Sequence, residues 1–182
     1  RALDLLAVKL TEPAVPTRER VLEFFRARLA TLLVARGARP DVVDAVLASG
    51  FDEPAQVLRR VDALGTLIGR PDWEPLVVTF KRTINILPAG FQGEPDPERG
   101  AHPDERRLRE ATEAARGPVE AALGAGDYAE ALRHLATLRP AVDAFFDAVM
   151  VMDKDPAIQA NRLALLRAIA GLLLPVADLR KI

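Results

Sequence analysis

Lys81, Arg82 and Asn85 have the types and spacing of a ligand-binding group. They fall within about one turn of a predicted helix and outside its apolar stripe, so they share a polar face. Lysine and arginine bind phosphates, and an asparagine amide can both donate to a nucleobase and accept from it. These residues therefore predict contact with nucleic acid, although an ordinary solvated helix face has the same composition.

A second basic group lies near the start of the chain. Residues 17–40 contain six arginines and two glutamates, whereas residues 41–58 contain four acids and no base. The net charge of the whole chain is −1, so any nucleic-acid site must be local. Arg18, Arg26 and Arg28 are the candidates for contacting phosphates or stacking on unpaired bases. Two solvated helix faces of opposite charge would explain the same pattern.

Residues suited to catalysis are scarce. Asp143 and Asp147 are one helical turn apart, but beside two phenylalanines they are more typical of surface acids or salt-bridge partners than of an acid–base pair. The two histidines, His102 and His134, are not spaced as metal ligands, and there is no cysteine and no glycine-rich phosphate loop. We therefore predict no catalytic residue, no metal site and no cofactor in this chain.

Asn161 and Arg162 are the polar centre of an otherwise apolar helix. The stem of Arg162 should run along the apolar seam, where its charge needs a partner. We predict that Arg162 is a structural bracket between two helices, paired with Asp143, Asp147 or Asp153. Asn161 lies one step round the helix, where it is freer to face solvent or RNA.

Amphipathic helices must position these groups. Apolar residues recur at spacings of three and four in successive segments that proline, glycine or a capping acid delimits. The pattern predicts helices that begin near residues 17, 40, 53, 73, 104, 128, 140 and 156. No segment of any length shows the alternation of a strand. The predicted fold class is all-α, an irregular helical bundle of about eight helices.

Two predicted apolar faces bear on the site. The first helix has an inward stripe made of Val21, Leu22, Phe25, Leu29, Leu32 and Leu33. The helix that opens at Pro140 buries Val142, Phe145, Phe146, Val149 and Met150. The turn DKDP at 153–156 supplies an aspartate cap and a first-turn proline for the next helix, so the two helices should pack antiparallel.

The chain divides into two unequal parts. Residues 1–13 have the pattern of the tail of a preceding helical domain plus a proline-containing linker, and residues 14–182 form one helical domain. Residues 88–103 contain four prolines and three glycines and predict an exposed, mobile loop. No apolar run reaches membrane-spanning length and no signal pattern is present, so a cytoplasmic location is expected.

Several blocks of the sequence resemble a known family. Residues 139–147 (RPAVDAFFD), 149–153 (VMVMD) and 161–166 (NRLALL) look like the C-terminal end of the beta subunit of bacterial glycyl-tRNA synthetase. The blocks 81–87 (KRTINIL) and 42–47 (VVDAVL) are similar to that family in the same order, so the resemblance covers about residues 17–182. The subunit ends in a helical anticodon-binding domain of the DALR type, and residues 130–133 (EALR) are a near match to the tetrapeptide of that name.

The resemblance implies that the chain recognises the anticodon of glycine tRNA and is a non-catalytic part of a glycine-tRNA ligase. The implied tRNA-binding residues are Arg18, Arg26, Arg28, Lys81, Arg82, Asn85 and Asn161. The implied partners are the rest of the beta subunit and the separate alpha subunit, where ATP and Mg²⁺ would act. Two alternatives stay open: the equivalent domain of another synthetase such as the arginine enzyme, which block 81–87 disfavours, and a helical protein-interaction module, which should expose an apolar groove.

Overall fold

The computed structural model describes residues 14–99 and 102–182, and every regular element in these ranges is helical. The eight α-helices are α1 (Ala14–Ala35), α2 (Pro40–Ala48), α3 (Pro54–Gly65), α4 (Trp73–Asn85), α5 (Pro103–Ala125), α6 (Tyr128–Ala136), α7 (Arg139–Ala148) and α8 (Pro156–Leu173). Short 3₁₀ turns lie at Pro97–Arg99 and Leu179–Lys181. The all-α prediction is confirmed, whereas the predicted tail at residues 1–13 lies outside the described residues.

Local sequence sets where several helices begin and end. The carboxylate of Asp155 accepts from the backbone N–H of Ala157 at 2.8 Å at the start of α8. Asp127 does the same for Glu130 at 3.0 Å at the start of α6. Gly126, with a φ of 70°, closes α5 in the left-handed conformation that glycine adopts without a Cβ penalty. The predicted aspartate cap of α8 is therefore present, and Asp127 caps α6 in the same way.

The core contains buried residues from all eight α-helices. α5 packs against α6, α7 and α8, while α4 packs against α7, α8 and the C-terminal 3₁₀ turn. Phe80, Phe145, Leu138 and Ile169 are fully buried where these helices meet. Burial of each such side chain contributes about 1.5–3 kcal/mol. This arrangement fixes the last turn of α4 beside the end of α7.

The helix α1 differs from its prediction in both extent and packing. It begins at Ala14 rather than near residue 17, three residues earlier than the sequence pattern predicts. It packs mainly against α2, and in its predicted core stripe Leu22, Phe25 and Leu32 are 37%, 59% and 48% exposed. Only Leu33 of that stripe is buried. The prediction of a core stripe is therefore wrong, because helical periodicity identifies an apolar face but not a partner that covers it.

The chain leaves helical geometry after Ala148 and passes through an extended Val149 into a bend at residues 151–152. Val149 has φ −120° and ψ 122°. Val149 and Val151 are buried, whereas Met150 and Met152 are 76% and 54% exposed. Placing Met150 in a buried helical face was wrong, because a valine–methionine alternation has the period of two that belongs to extended chain.

Residues 88–99 of the predicted mobile loop at 88–103 are tied to α8. The guanidinium of Arg167 donates to the side-chain oxygen of Gln92 at 2.7 Å. The amide oxygen of Asn161 accepts from the backbone N–H of Asp96, also at 2.7 Å. These partners are separated by 75 and 65 residues, so the composition of the loop alone gives no sign of them.

Candidate nucleic-acid interface

The last turn of α4 places its three predicted ligand-binding residues in two environments. Lys81 is half-buried, and its Nζ donates to the backbone oxygen of Ile182 at 2.7 Å. Arg82 and Asn85 are exposed and three residues apart, so they lie side by side on the helix surface. The structure thus brings Arg82 and Asn85 together and engages Lys81 in holding the C-terminal turn against α4.

Arg82 lies against an aromatic ring. Its guanidinium carbon is 4.0 Å from the ring centroid of Phe146, within the range of a cation–π contact. Phe146 is 8% exposed and stands edge-to-face against Phe145, with ring centroids 5.8 Å apart. The guanidinium therefore has a fixed support on the protein side and remains accessible to solvent.

A surface cavity of about 460 Å³ opens beside this pair. We call it the Arg82 pocket; its lining is Arg82, Ile86, Phe146, Asp147 and residues 148–152. The exposed Met150 and Met152 belong to that lining. Sequence reasoning missed Phe146 and Met150 as site residues because it assigned both to the core; the valine–methionine alternation at 149–152 is the signal that would have placed Met150 outside.

The two carboxylates of α7 have separate surroundings. Asp143 accepts from the hydroxyl of the buried Thr79 at 2.6 Å and from Nε of Arg139 at 3.2 Å, which fastens α7 to α4. Asp147 is exposed and has no hydrogen bond or ion pair with any residue in the described ranges. The pair is therefore not arranged as two carboxylates that share a catalytic pocket. Asp143 is structural, and Asp147 is left facing the Arg82 pocket.

The arginines of α1 form a separate candidate surface. Arg18, Arg26 and Arg28 are all exposed, and the guanidinium of Arg28 is 5.8 Å from the ring centroid of Phe24. Arg26 and Arg28 are two residues apart, so they point to different sides of the helix. α1 packs mainly on α2, whereas α4 packs on α7, α8 and the C-terminal turn. The three arginines of α1 and the Arg82 pocket therefore lie on helices that do not pack against each other.

Asn161 is placed differently from its prediction. Its side chain is 5% exposed, and its Oδ1 accepts from the backbone N–H of Asp96. The expectation that it faces solvent or RNA is wrong, because residues 88–99 fold over this part of α8. We assign Asn161 to anchoring that segment and do not propose it as a tRNA contact.

Arg162 joins three parts of the fold. Its Nε donates to Oε1 of Glu105 at 2.6 Å, and its Nη1 donates to Oδ2 of Asp153 at 2.6 Å and to the backbone oxygen of Met150 at 2.9 Å. The side chains of Arg162 and Glu105 are 11% and 1% exposed. Asp153 was one of the three predicted partners, whereas Glu105, on α5, was not foreseen. Because Arg162 holds the carbonyl of Met150, it also fixes one wall of the Arg82 pocket.

Asp153 makes this bracket sensitive to acid. The backbone N–H of Asp155 and then the guanidinium of Arg162 lower the pKa of Asp153 below its ordinary value of 3.8. A carboxyl whose folded pKa is lowered contributes stability that is present above its unfolded pKa and is lost as the pH falls through the folded pKa.

We therefore expect Asp153→Asn to lower the melting temperature at neutral pH, and the difference from the parent to shrink below about pH 4. Thermal unfolding followed by circular dichroism across that range measures it. Asp44→Asn, at an exposed position on α2, is the charge-matched control. A difference that stays constant with pH would contradict this role of Asp153.

The tetrapeptide at residues 130–133 has a structural environment on α6. Ala131 and Leu132 are buried, while Glu130 forms an ion pair with Arg133 and lies 2.9 Å from Nε2 of His134 on the surface of the same helix. α6 in turn packs on α5 and α3. In this chain the tetrapeptide fixes a short helix in the bundle, away from the Arg82 pocket.

An all-α bundle that presents exposed arginines and an arginine–aromatic pocket has the features of a helical nucleic-acid-binding domain. The sequence profile of the family described as "DALR anticodon binding domain" matches residues 77–178, more than half of the chain. The chain belongs to this family. The Arg82 pocket and Arg162 lie within the matched range.

Similarity to individual proteins extends further along the chain. The whole chain is 43% identical to the glycine--tRNA ligase beta subunit of Syntrophotalea carbinolica, and 43% identical to that of Myxococcus xanthus. Over 84% of its length it is 45% identical to the corresponding subunit of Geobacter sulfurreducens. The chain spans 26%, 27% and 22% of the length of these three relatives. The resemblance to the glycyl-tRNA synthetase beta subunit is confirmed.

Within residues 14–99 and 102–182, no helix combines the length and the hydrophobicity that a membrane span requires.

Proposed function

We propose that this chain recognises the anticodon region of glycine tRNA as a domain of a glycine-tRNA ligase beta subunit. One observation carries the proposal: the exposed Arg82 lines a pocket beside the Phe146 ring, and the exposed Asn85 lies three residues further along α4, inside the range that matches an anticodon-binding family. The assignment to glycine, among the amino acids that tRNAs carry, comes from the names of the relatives, which are glycine--tRNA ligase beta subunits.

Anticodon loops are single-stranded, so a protein that recognises them needs planar groups that stack on bases and polar groups that meet base edges. Arg82 supplies a guanidinium plane and Asn85 an amide that can donate and accept. Arg18, Arg26 and Arg28 supply positive charge for the phosphate backbone. We assign positioning of the tRNA to the α1 arginines, and recognition of bases to the end of α4.

The chain would have no chemistry of its own in this proposal. Glycine activation, with its ATP and Mg²⁺, is assigned to the separate alpha subunit, and the work of this domain is to orient the tRNA in the cytoplasm. The arrangement of Asp143 supports a structural role for this carboxylate rather than a role in an acid–base pair with Asp147, because the Thr79 hydroxyl and Nε of Arg139 donate to it.

The exposed apolar face of α1 favours a protein contact in addition. A groove of about 500 Å³ runs along it; apolar residues and one proline (Leu22, Phe25, Leu29, Leu32, Phe51 and Pro54) make most of its lining, and Arg28 and Asp52 complete it. We propose that the rest of the beta subunit covers this groove, since the chain spans about a quarter of the length of its relatives and a contiguous apolar patch usually marks an interface. In this proposal, the alternative of a helical protein-interaction module applies to the exposed apolar face of α1 and not to the function of the whole domain.

The proposal is tested by filter binding of the full chain to glycine tRNA and to an unrelated tRNA. We expect binding to weaken steeply with salt, because a chain of net charge −1 must bind through local arginines that release counterions. The double variant Arg18→Ala/Arg28→Ala should weaken both tRNAs alike and reduce the slope of log K against log salt by about two.

A matched control is Arg70→Ala/Arg107→Ala, since these arginines are exposed but already paired with Asp72 and Asp104. Selective loss of glycine tRNA binding in the α1 variant would assign its arginines to bases instead of phosphates. Failure of the parent chain to bind either tRNA, or consumption of ATP that depends on glycine, would overturn the proposed function.

A further inference from the structure

We propose that the Arg82 pocket binds one unpaired nucleobase that carries an exocyclic amino group, with Arg82 as the stacking plane and Asp147 as the hydrogen-bond acceptor. This inference rests on the proposed binding of RNA, and it adds the chemistry of a single subsite.

The stacking surface is preassembled. The guanidinium carbon of Arg82 lies over the Phe146 ring, 4.0 Å from its centroid, and the side chain remains exposed to solvent. Planar guanidinium groups stack on unpaired bases, and this one is already held in place. Met150, 76% exposed on the same pocket, adds a polarisable thioether that packs well against aromatic rings. A flat heteroaromatic ring therefore fits this site better than a compact ion does.

The charge of the pocket excludes phosphate and selects hydrogen-bond donors. Asp147 lies in the lining with Arg82, so one carboxylate balances one guanidinium. A phosphate would gain from Arg82 and lose to Asp147, whereas an ionised carboxylate accepts hydrogen bonds only. The amino group at position 4 of cytosine is such a donor, and uracil presents a carbonyl oxygen at the same position. The unpartnered Asp147 thus distinguishes two bases of nearly identical shape.

The wall of the Arg82 pocket formed by residues 149–152 is anchored to the interior of the protein. Val149 and Val151 are buried beneath it, and Arg162 donates to the backbone oxygen of Met150 at 2.9 Å. A wall that is already ordered loses little conformational entropy when a ligand binds. The pocket is therefore a preorganised site and needs no rearrangement of α7 or α8.

The experiment compares oligocytidylate with oligouridylate of the same length, titrated against the full chain and followed by fluorescence anisotropy. We expect the parent chain to prefer oligocytidylate by about five-fold, the discrimination expected of one good contact to a base edge. Asp147→Asn should abolish the preference, because an amide can donate to the uracil oxygen as well as accept. Asp44→Asn changes the charge equally at an exposed site on α2 and should retain it.

Two Arg82 variants test the stacking plane. Arg82→Ala should weaken both oligonucleotides, and Arg82→Lys, which keeps the charge without the plane, should restore only part of the binding. The proposed subsite is wrong if the parent chain binds the two oligonucleotides equally, or if the preference survives Asp147→Asn. In either case the proposed function still stands as long as the chain binds glycine tRNA. If neither oligonucleotide nor tRNA binds, both proposals fall.

Discussion

Replacing Arg162 with alanine is expected to lower the free energy of unfolding by about 3–5 kcal/mol, because it leaves a buried charge without a partner. Glu105 is 1% exposed and takes its hydrogen bond at Oε1 from Arg162, while its Oε2 has no hydrogen-bond partner. No other residue of the described ranges donates to that carboxylate and could compensate for the lost guanidinium. Urea denaturation of the parent and the variant measures the difference.

Removing both charges should do far less harm than removing one. In the double variant Glu105→Met/Arg162→Met no buried charge is left alone, so we expect it to regain much of the stability that either single variant loses. Arg139→Ala is the control, since Arg139 and Asp143 are 36% and 43% exposed and such pairs contribute about 1 kcal/mol or less. An Arg162→Ala chain that unfolds like the parent but no longer binds tRNA would assign Arg162 to RNA contact and remove it from the fold.

The partners of Arg162 show what sequence can and cannot predict about this fold. Asp153 was predicted because it lies nine residues away, on a turn that proline and aspartate define. Glu105 is 57 residues away on another helix, and only the packing of α5 against α8 brings it there. The anchoring of Asp96 by Asn161, over 65 residues, escaped prediction for the same reason. Helix starts and caps depend on neighbours in sequence, whereas buried polar pairs depend on which helices meet.

The residues of the candidate site also fall into those that local sequence predicts and those whose surroundings depend on distant parts of the chain. Arg82 and Asn85 could be predicted from residue type and spacing on one helix face, which local periodicity determines. Lys81 satisfied the same criteria, but its Nζ is engaged by Ile182, 101 residues away. The apolar stripe of α1 was predicted from its period, and its exposure was not, because periodicity contains no information about what covers a face.

The adjacent Phe145 and Phe146 should give opposite results when they are replaced. Phe145 is fully buried, so Phe145→Ala is expected to lower the free energy of unfolding by about 3–5 kcal/mol through lost burial and a cavity. That is a large part of the roughly 5–15 kcal/mol that stabilises a typical domain. Urea denaturation measures this loss. A loss below about 1 kcal/mol is roughly the size that a surface substitution causes, and it would show that α7 repacks around the site.

Phe146→Leu should separate stability from binding. Leucine keeps a branched apolar side chain at this position, so it leaves a smaller cavity than truncation to alanine would and the fold should survive. The ring that supports Arg82 at 4.0 Å disappears, and a cation–π contact of about 0.5–1 kcal/mol is lost with it. We therefore expect tRNA affinity to fall about two- to five-fold in filter binding. Phe145→Leu, the same substitution at the adjacent buried ring, should leave affinity unchanged. Equal affinities in the two variants would mean that Phe146 only fills the core and that Arg82 needs no aromatic support to bind RNA.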